Sequence, residues 1–279
     1  MNIKKIIALI SCAAIVAIAF VGCSRNAETT SYIRPLYNVS GQSSEKVNND
    51  SSDTESKEEY IYYTEPGENG SRTDDELGFQ FDLPQSGEEI AVLNTSKGVI
   101  KIRLFEESAP LAVANFKAQI SNGYYNGLTF HRVINDFMIQ GGDDGKGSKS
   151  VWGKAYQSEV NRNLQHFTGA VSTANAGPDT NGSQFFIVQG PQVTMDDLDA
   201  AASTYNTAGM TETEKQLYIE HGGAYWLDNH VNSTVAHTVF GQVFEGMDVV
   251  NSIASVLTNR SDKPLDDIVI ESAAIEIYQ

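Results

Sequence analysis

The sequence is poor in cysteine, in positive charge and in repetition. Only two cysteines occur among 279 residues, Cys12 and Cys23, both at the extreme N-terminus. The rest of the chain therefore has no disulfide framework and no thiolate metal site. Lys and Arg number 19 against 36 Asp and Glu, a formal net charge of −17. Nucleic-acid binding needs a basic face, and this balance does not supply one. No internal repeat is visible. An apolar content of 41% is still enough for a core, which excludes wholesale disorder.

What is present divides into three segments. Lys4 and Lys5 precede an apolar run from Ile6 to Gly22, the basic and apolar regions of an export signal. The run ends Phe20-Val21-Gly22-Cys23. A small residue before a cysteine resembles the bacterial lipoprotein processing box. That resemblance implies cleavage before Cys23 and a diacylglycerol on its thiol. The alternative is an uncleaved anchor, since the apolar run is just long enough to span a bilayer. Both place the bulk of the chain outside the cytoplasm, tethered to the cell membrane. Residues 24–85 hold five basic and thirteen acidic residues, and 43–59 show no apolar period. They are expected to form a disordered acidic linker, extended by self-repulsion. Tyr60-Ile61-Tyr62-Tyr63 is the exception, read as a sticky spot in the tail or a docking segment.

Residues 86–279 read as one folded domain. Ile90 to Leu93 and Val99 to Leu104 are β-rich runs flanking Asn94-Thr95-Ser96-Lys97-Gly98, a hairpin signature. Ser108 is placed to cap a helix that has Pro110 in its first turn and ends at Gly123. Further strands are expected over 128–133, 137–140, 185–188, 235–243 and 268–278, with a second helix from Gly246 to Ser255. Residues 189–225 interrupt this pattern. Thr194 with Asp197, and Thr211 with Glu214, mark helix starts, and Gly222-Gly223 a stop. Many short strands and few helices suggest a β-barrel or sandwich carrying a helical insertion.

Two stretches carry chemistry. One runs Phe130-His131-Arg132-Val133-Ile134-Asn135-Asp136-Phe137-Met138-Ile139-Gln140-Gly141-Gly142-Asp143. The other runs Ser172-Thr173-Ala174-Asn175-Ala176-Gly177-Pro178-Asp179-Thr180-Asn181-Gly182-Ser183-Gln184-Phe185-Phe186-Ile187. Here the chain resembles the cyclophilins, the cyclosporin-binding peptidyl-prolyl isomerases, from about Glu88 to Gln279. The resemblance implies a mainly β fold: a closed eight-stranded antiparallel β-barrel capped by two helices. It implies a catalytic group of Arg132, Phe137 and Gln140. Phe137, Met138, Phe186 and Leu227 would line a proline pocket. Gln140, Ala174, Asn175, Ala176 and Gln184 would meet the peptide, with Gly145 at the rim. Trp226 would face cyclosporin, and His237 would be the pocket histidine, assigned to packing rather than proton transfer. No cofactor or metal is implied.

The chemistry can be argued without the family. An X-Pro bond turns slowly because its C–N bond is partly double. Turning it needs no nucleophile, metal or redox group. It needs the proline ring held, and a donor that favours the twisted state, whose nitrogen is pyramidal and basic. A guanidinium suits this, being always charged and rich in rigid donors. A donor that binds the twisted state best lowers the barrier. Phe137, Met138 and Phe186 supply apolar walls, and methionine adapts to varied peptides. Taken singly, Arg132 would read as a surface strand residue and the apolar three as core. The motif changes that weighting.

Two decoys and two departures complete the reading. Gly142 to Lys149 looks like a phosphate loop but fails its spacing. Asp143, Asp144, His221, His230 and His237 match no metal-ligand spacing. Insertions at 189–225 and between Asn229 and His237 flank Trp226 and Leu227. The expected function is a membrane-tethered isomerase assisting exported proteins, with proline-containing segments as partners. The rivals are a binding module that holds such segments without turnover, and a solute-binding lipoprotein. The last is usually a two-lobed α/β protein, which this domain does not resemble.

Overall fold

The computed structural model describes residues 32–35, 60–63, 77–161, 163–202, 204–205, 209–228 and 237–279. The signal segment with Cys23, most of the linker, and 229–236 with Asn229 and His230 lie outside the described residues. Strands β1 (Tyr32–Pro35) and β2 (Tyr60–Tyr63) pair antiparallel as a separate two-stranded sheet. The tyrosine-rich segment expected as a sticky spot is thus a strand, with its partner in the same N-terminal region.

The main sheet has eight antiparallel strands in the order β10-β3-β4-β9-β7-β8-β6-β5. They are β3 (Glu89–Thr95), β4 (Gly98–Leu104), β5 (Arg132–Ile134), β6 (Met138–Gly141), β7 (Ala170–Thr173), β8 (Phe185–Val188), β9 (Val239–Glu245) and β10 (Ile270–Ile277). The β3–β4 hairpin forms where turn chemistry predicts it: Thr95 pairs with Gly98, and Thr95 Oγ1 accepts from Lys97 N–H. Gly98, at φ 134°, takes a conformation that side chains disfavour.

The barrel is not fully closed, which corrects the closed eight-stranded expectation. The edge strands β5 and β10 share no ladder. Their seam is the single bridge Thr129–Val269, with Phe130 N–H donating to Ile268 O and Ile270 N–H to Leu128 O. The sheet is a curled half-barrel. Its concave side is filled by Leu93, Ile100, Ile102, Val133, Ile139, Val171, Phe185 and Ile187. Helix α1 (Pro110–Ser121) packs against β9 and β10. Helix α4 (Met247–Ala254) packs against β4, β5 and β6.

Ser108 does not cap α1. The N-cap is Ala109, whose side chain has nothing to offer. The carboxylate of buried Glu159, 48 residues away, accepts from Leu111 N–H (3.0 Å) and Ala112 N–H (2.9 Å) instead. A tertiary anion thereby meets the positive end of the helix.

The insertion is helical, as expected. Helices α2 (Met195–Ala201) and α3 (Glu212–His221) both open on capping boxes, at Thr194 and Thr211, and Gly222 at φ 73° ends the second. Leu198 and Tyr218 from these helices pack with Phe167, Val193 and Met210 in a small core.

The folded unit also begins earlier than residue 86. Phe79–Phe81 form a turn of 3-10 helix. Phe79 meets Phe105 edge-on, and Phe81 stacks on His221 at 3.6 Å. Between them Gln80 is fully buried. It donates to Gln165 O (2.9 Å) and Gln242 Oε1 (2.7 Å) and accepts from Gln165 N–H (3.0 Å). This strap carries two aromatics and one amide, too little apolar periodicity to stand out from a polar tail.

Candidate active site

The site is built on the face of the sheet opposite to the core. Cross-strand partners share a face, and alternate residues change face. Arg132 on β5 is opposite Gln140 on β6, and Gln140 is opposite Phe186 on β8. These three therefore stand in one row. One residue along, Val133, Ile139 and Ile187 form a row on the core side. A second outer row, Ile134, Met138 and Val188, supplies an apolar floor.

The polar ends of the row are linked. Arg132 Nη1 lies 3.5 Å from Gln140 Oε1, and Gln140 Nε2 donates to Gln184 Oε1 at 2.8 Å. Gln184 Nε2 donates to Ser148 Oγ (3.0 Å), which donates to Asp143 Oδ1 (2.7 Å). On its other side Arg132 Nε is 3.5 Å from Asp262 Oδ2, with both side chains about 40% exposed. The guanidinium is thus held from two directions while its side chain stays partly exposed. Asp262 gave no signal in the sequence, being one acid among many in a polar loop.

The residues named from sequence distribute as follows. Phe137 closes the β5–β6 hairpin, after Asp136 at φ 61°, and its ring lies 5.7 Å from that of Trp226. Met138 is 1% exposed and Phe186 4%. Trp226 and Leu227 sit in the 3-10 turn Tyr225–Leu227 and pack on the same cluster as Met138 and Phe186. Ala174 N–H donates to Gln184 O, and Asn175 Nδ2 to Asn181 Oδ1. Gln140, Ser148, Ala174, Asn175, Ala176 and Gln184 border a neighbouring cleft of about 300 Å³. Gly147 joins them there, and Gly145 is exposed at φ 67°. The loop resembling a phosphate cradle is knit to itself. Asp143 accepts from Gly145 N–H, and Asp144 accepts from Lys146 and Ser148 N–H.

His237 Nδ1 is 2.9 Å from Thr173 O, and its ring meets Phe186 edge-on at 5.2 Å. A carbonyl only accepts, so Nδ1 carries the proton. Burial, and then His166, push the pKa of His237 down to about 4. The ring is neutral at pH 7, which fits a packing role. His131, pointing away from the row, also has a lowered pKa, chiefly through burial.

His166 was not singled out in the sequence. It lies at the entry to β7, 2% exposed, with its ring parallel to Phe186 at 5.9 Å. A lone histidine beside Phe167-Thr168-Gly169 has no motif to mark it.

The arrangement is an apolar cluster with one oriented guanidinium at its edge and a neutral imidazole behind it. It can hold a small ring and present donors beside it. Residues 90–275 match the family described as cyclophilin type peptidyl-prolyl cis-trans isomerase/CLD. A putative peptidyl-prolyl cis-trans isomerase of Staphylococcus aureus is 45% identical over 195 residues, 69% of this chain and 94% of its own length. One of Staphylococcus saprophyticus is 44% identical over 200 residues, 70% and 96% of the two chains. A solved cyclophilin type isomerase of Cryptosporidium parvum, in the presence of the dipeptide Ala-Pro, aligns with 68% of this chain and 99% of its own. Its TM-score is 0.52 and its identity 27%.

Proposed function

The chain belongs to the cyclophilin-type peptidyl-prolyl cis-trans isomerases, and on that premise we propose how and where it acts. Its substrates are proline-containing segments of exported proteins. Their proline rings sit on Met138, Phe186, Phe137 and Leu227. The Arg132 guanidinium donates toward the proline nitrogen as the amide twists, which competes with amide resonance. Gln140 and Gln184 orient the guanidinium and meet the peptide backbone. Because these donors gain strength only as the nitrogen pyramidalises, they favour the twisted state over either planar one. The observation that carries this reading is the single cross-strand row of Arg132, Gln140 and Phe186 above an apolar floor.

Anchoring is part of the proposal. The basic and apolar N-terminal run ending at Cys23 supports a lipid tether on the outer face of the cell membrane. Cys23→Ala is expected to move the protein out of the membrane fraction, and retention there would contradict a lipid on that thiol. Cyclosporin is expected to compete with peptide, since Trp226 packs beside Phe137 and is only partly buried.

The deciding experiment is NMR exchange of a short Xaa-Pro peptide with the full chain, alongside Arg132→Ala. Accelerated exchange in the parent, falling by about 10²–10³ in the variant with the fold intact, is the expected result. Peptide binding without acceleration in the parent would leave the rival reading, a module that holds proline segments.

A further inference from the structure

One buried polar cluster beside the pocket has no part in the chemistry above. His166 Nδ1 is 2.8 Å from Asp228 Oδ1, and His166 N–H donates to Asp228 Oδ2 at 2.9 Å. Tyr218, on helix α3 of the insertion, donates its hydroxyl to the same Oδ2. The His166 and Asp228 side chains are 3% and 9% exposed. Asp228 directly follows Trp226 and Leu227, so one carboxylate joins the insertion, the pocket wall and the imidazole. Burial alone would raise the Asp228 carboxyl. The adjacent His166, together with the Tyr218 hydroxyl, holds it below the usual carboxylate range instead.

A carboxylate only accepts, so His166 carries a proton on Nδ1 and turns Nε2 away from Asp228. Nε2 is buried with no hydrogen-bond partner among the described residues. A histidine tilted freely would offer that nitrogen to water. This one is locked flat, 9° from the plane of Phe186. His237 meets Phe186 from a perpendicular direction. Two imidazoles, each fixed through Nδ1, therefore bracket the phenyl ring on which proline would rest. One is fixed by the barrel, through Thr173 O; the other by Asp228, just after the pocket-wall turn, which Tyr218 of the insertion contacts in turn.

We propose that Tyr218, Asp228 and His166 form a positioning chain that fixes the plane of Phe186, making the 189–225 insertion a determinant of affinity for proline segments. The proposal rests on the isomerase reading of the same pocket. The proline ring is the part held still while the carbonyl side turns, so its contact with Phe186 is the same in the planar and twisted states. Loosening that contact removes uniform binding, which raises KM and leaves kcat unchanged. A merely structural role gives the opposite split. It lowers the amount of folded enzyme, and hence apparent kcat, at constant KM.

The test measures kcat, KM and peptide Kd for the full chain as parent, Tyr218→Phe and Asp228→Asn. Lys215→Ala on α3, whose ammonium pairs with Glu212 of the same helix, is the control. Tyr218→Phe and Asp228→Asn are expected to raise KM and Kd about three- to tenfold, the scale of one ordinary net hydrogen bond, with kcat within twofold. Lys215→Ala is expected to match the parent. Unchanged KM and Kd, or a fall in kcat alone, would overturn the proposal. If Asp228→Asn does not fold, Tyr218→Phe decides, since it removes only the hydroxyl. Nitrogen NMR of His166 gives a second reading: a protonated Nδ1 is expected, and a bare Nδ1 would overturn the chain. A parent without turnover would sink the isomerase reading, while the Kd series would still decide this proposal.

Discussion

Phe185 and Phe186 are consecutive on β8 and almost equally buried, at 1% and 4% exposure. They belong to different regions. Phe185 points into the half-barrel, edge-on to Phe116, Tyr125 and Phe130. Phe186 points outward and meets two histidines. Around Phe185 every neighbouring ring belongs to the core. Around Phe186 the neighbours include Ser172, fully buried with an Oγ that has no partner among the described residues, and His166 Nε2 in the same condition. Unsatisfied buried polar atoms are costly and infrequent in a settled core. Such atoms also occur beside the main core, at Trp152 Nε1, so what sets the Phe186 face apart is the pair of imidazoles around its ring. The two-residue period of a strand lets one short segment serve both regions.

The largest expected effect separates the two faces directly. Phe185→Ala should destabilise the domain by about 3–5 kcal/mol in chemical denaturation, with the surviving folded enzyme keeping its KM. Phe186→Ala should also cost stability, since its ring is 4% exposed, but should in addition raise KM for Xaa-Pro peptides. Equal stability losses with unchanged KM would erase the distinction.

Next in size, Gln80→Ala removes three buried hydrogen bonds from the strap and should cost about 1–3 kcal/mol, read as a lower denaturation midpoint. Activity per folded molecule should not change, since Gln80 touches neither row.

The pocket face should also answer to pH. His237 titrates at about 4 in the fold and near 6.5 when unfolded, so the unfolded chain binds the extra proton between those values. Stability should therefore be flat above about pH 6.5 and fall as pH drops toward 4, by at most about 1.4 kcal/mol per pH unit from this group. His237→Gln should flatten that part of the profile, and an unaltered slope would remove His237 as its source.

The smallest effect concerns the insertion. Thr211→Ala removes the reciprocal cap of α3 and should cost about 1 kcal/mol, seen as faster amide exchange in α3. Exchange quickening in the half-barrel strands as well would mean that insertion and barrel unfold as one unit.

Legibility in the sequence followed the range of the interactions. The β3–β4 hairpin, the caps at Thr194 and Thr211 and the stop at Gly222 were readable because each is decided within about five residues. Strand β7 was not, because Ala170, Val171, Ser172 and Thr173 are small and half polar, without the aromatic and branched run that marks the equally buried β8. The cap of α1 was assigned to Ser108 because local chemistry favoured it, whereas the acceptor came from Glu159 far along the chain. In the site, Arg132, Phe137, Gln140 and Phe186 were legible through two long motifs. His166, Asp228 and Asp262 were not, since their partners are distant in sequence and no local pattern announces them.

The sequence by itself determined the acidic, cysteine-poor composition beyond the N-terminus, the short antiparallel strands, the helical insertion and the family. These depend on composition and on periods of two or about four residues, which a chain displays without folding. Only the tertiary structure decided where the barrel stays unclosed, that the strap at Gln80 belongs to the fold, and which side chains bracket Phe186. Each of those outcomes is a meeting of groups tens of residues apart. Its geometry is fixed by the simultaneous packing of several elements rather than by any segment alone.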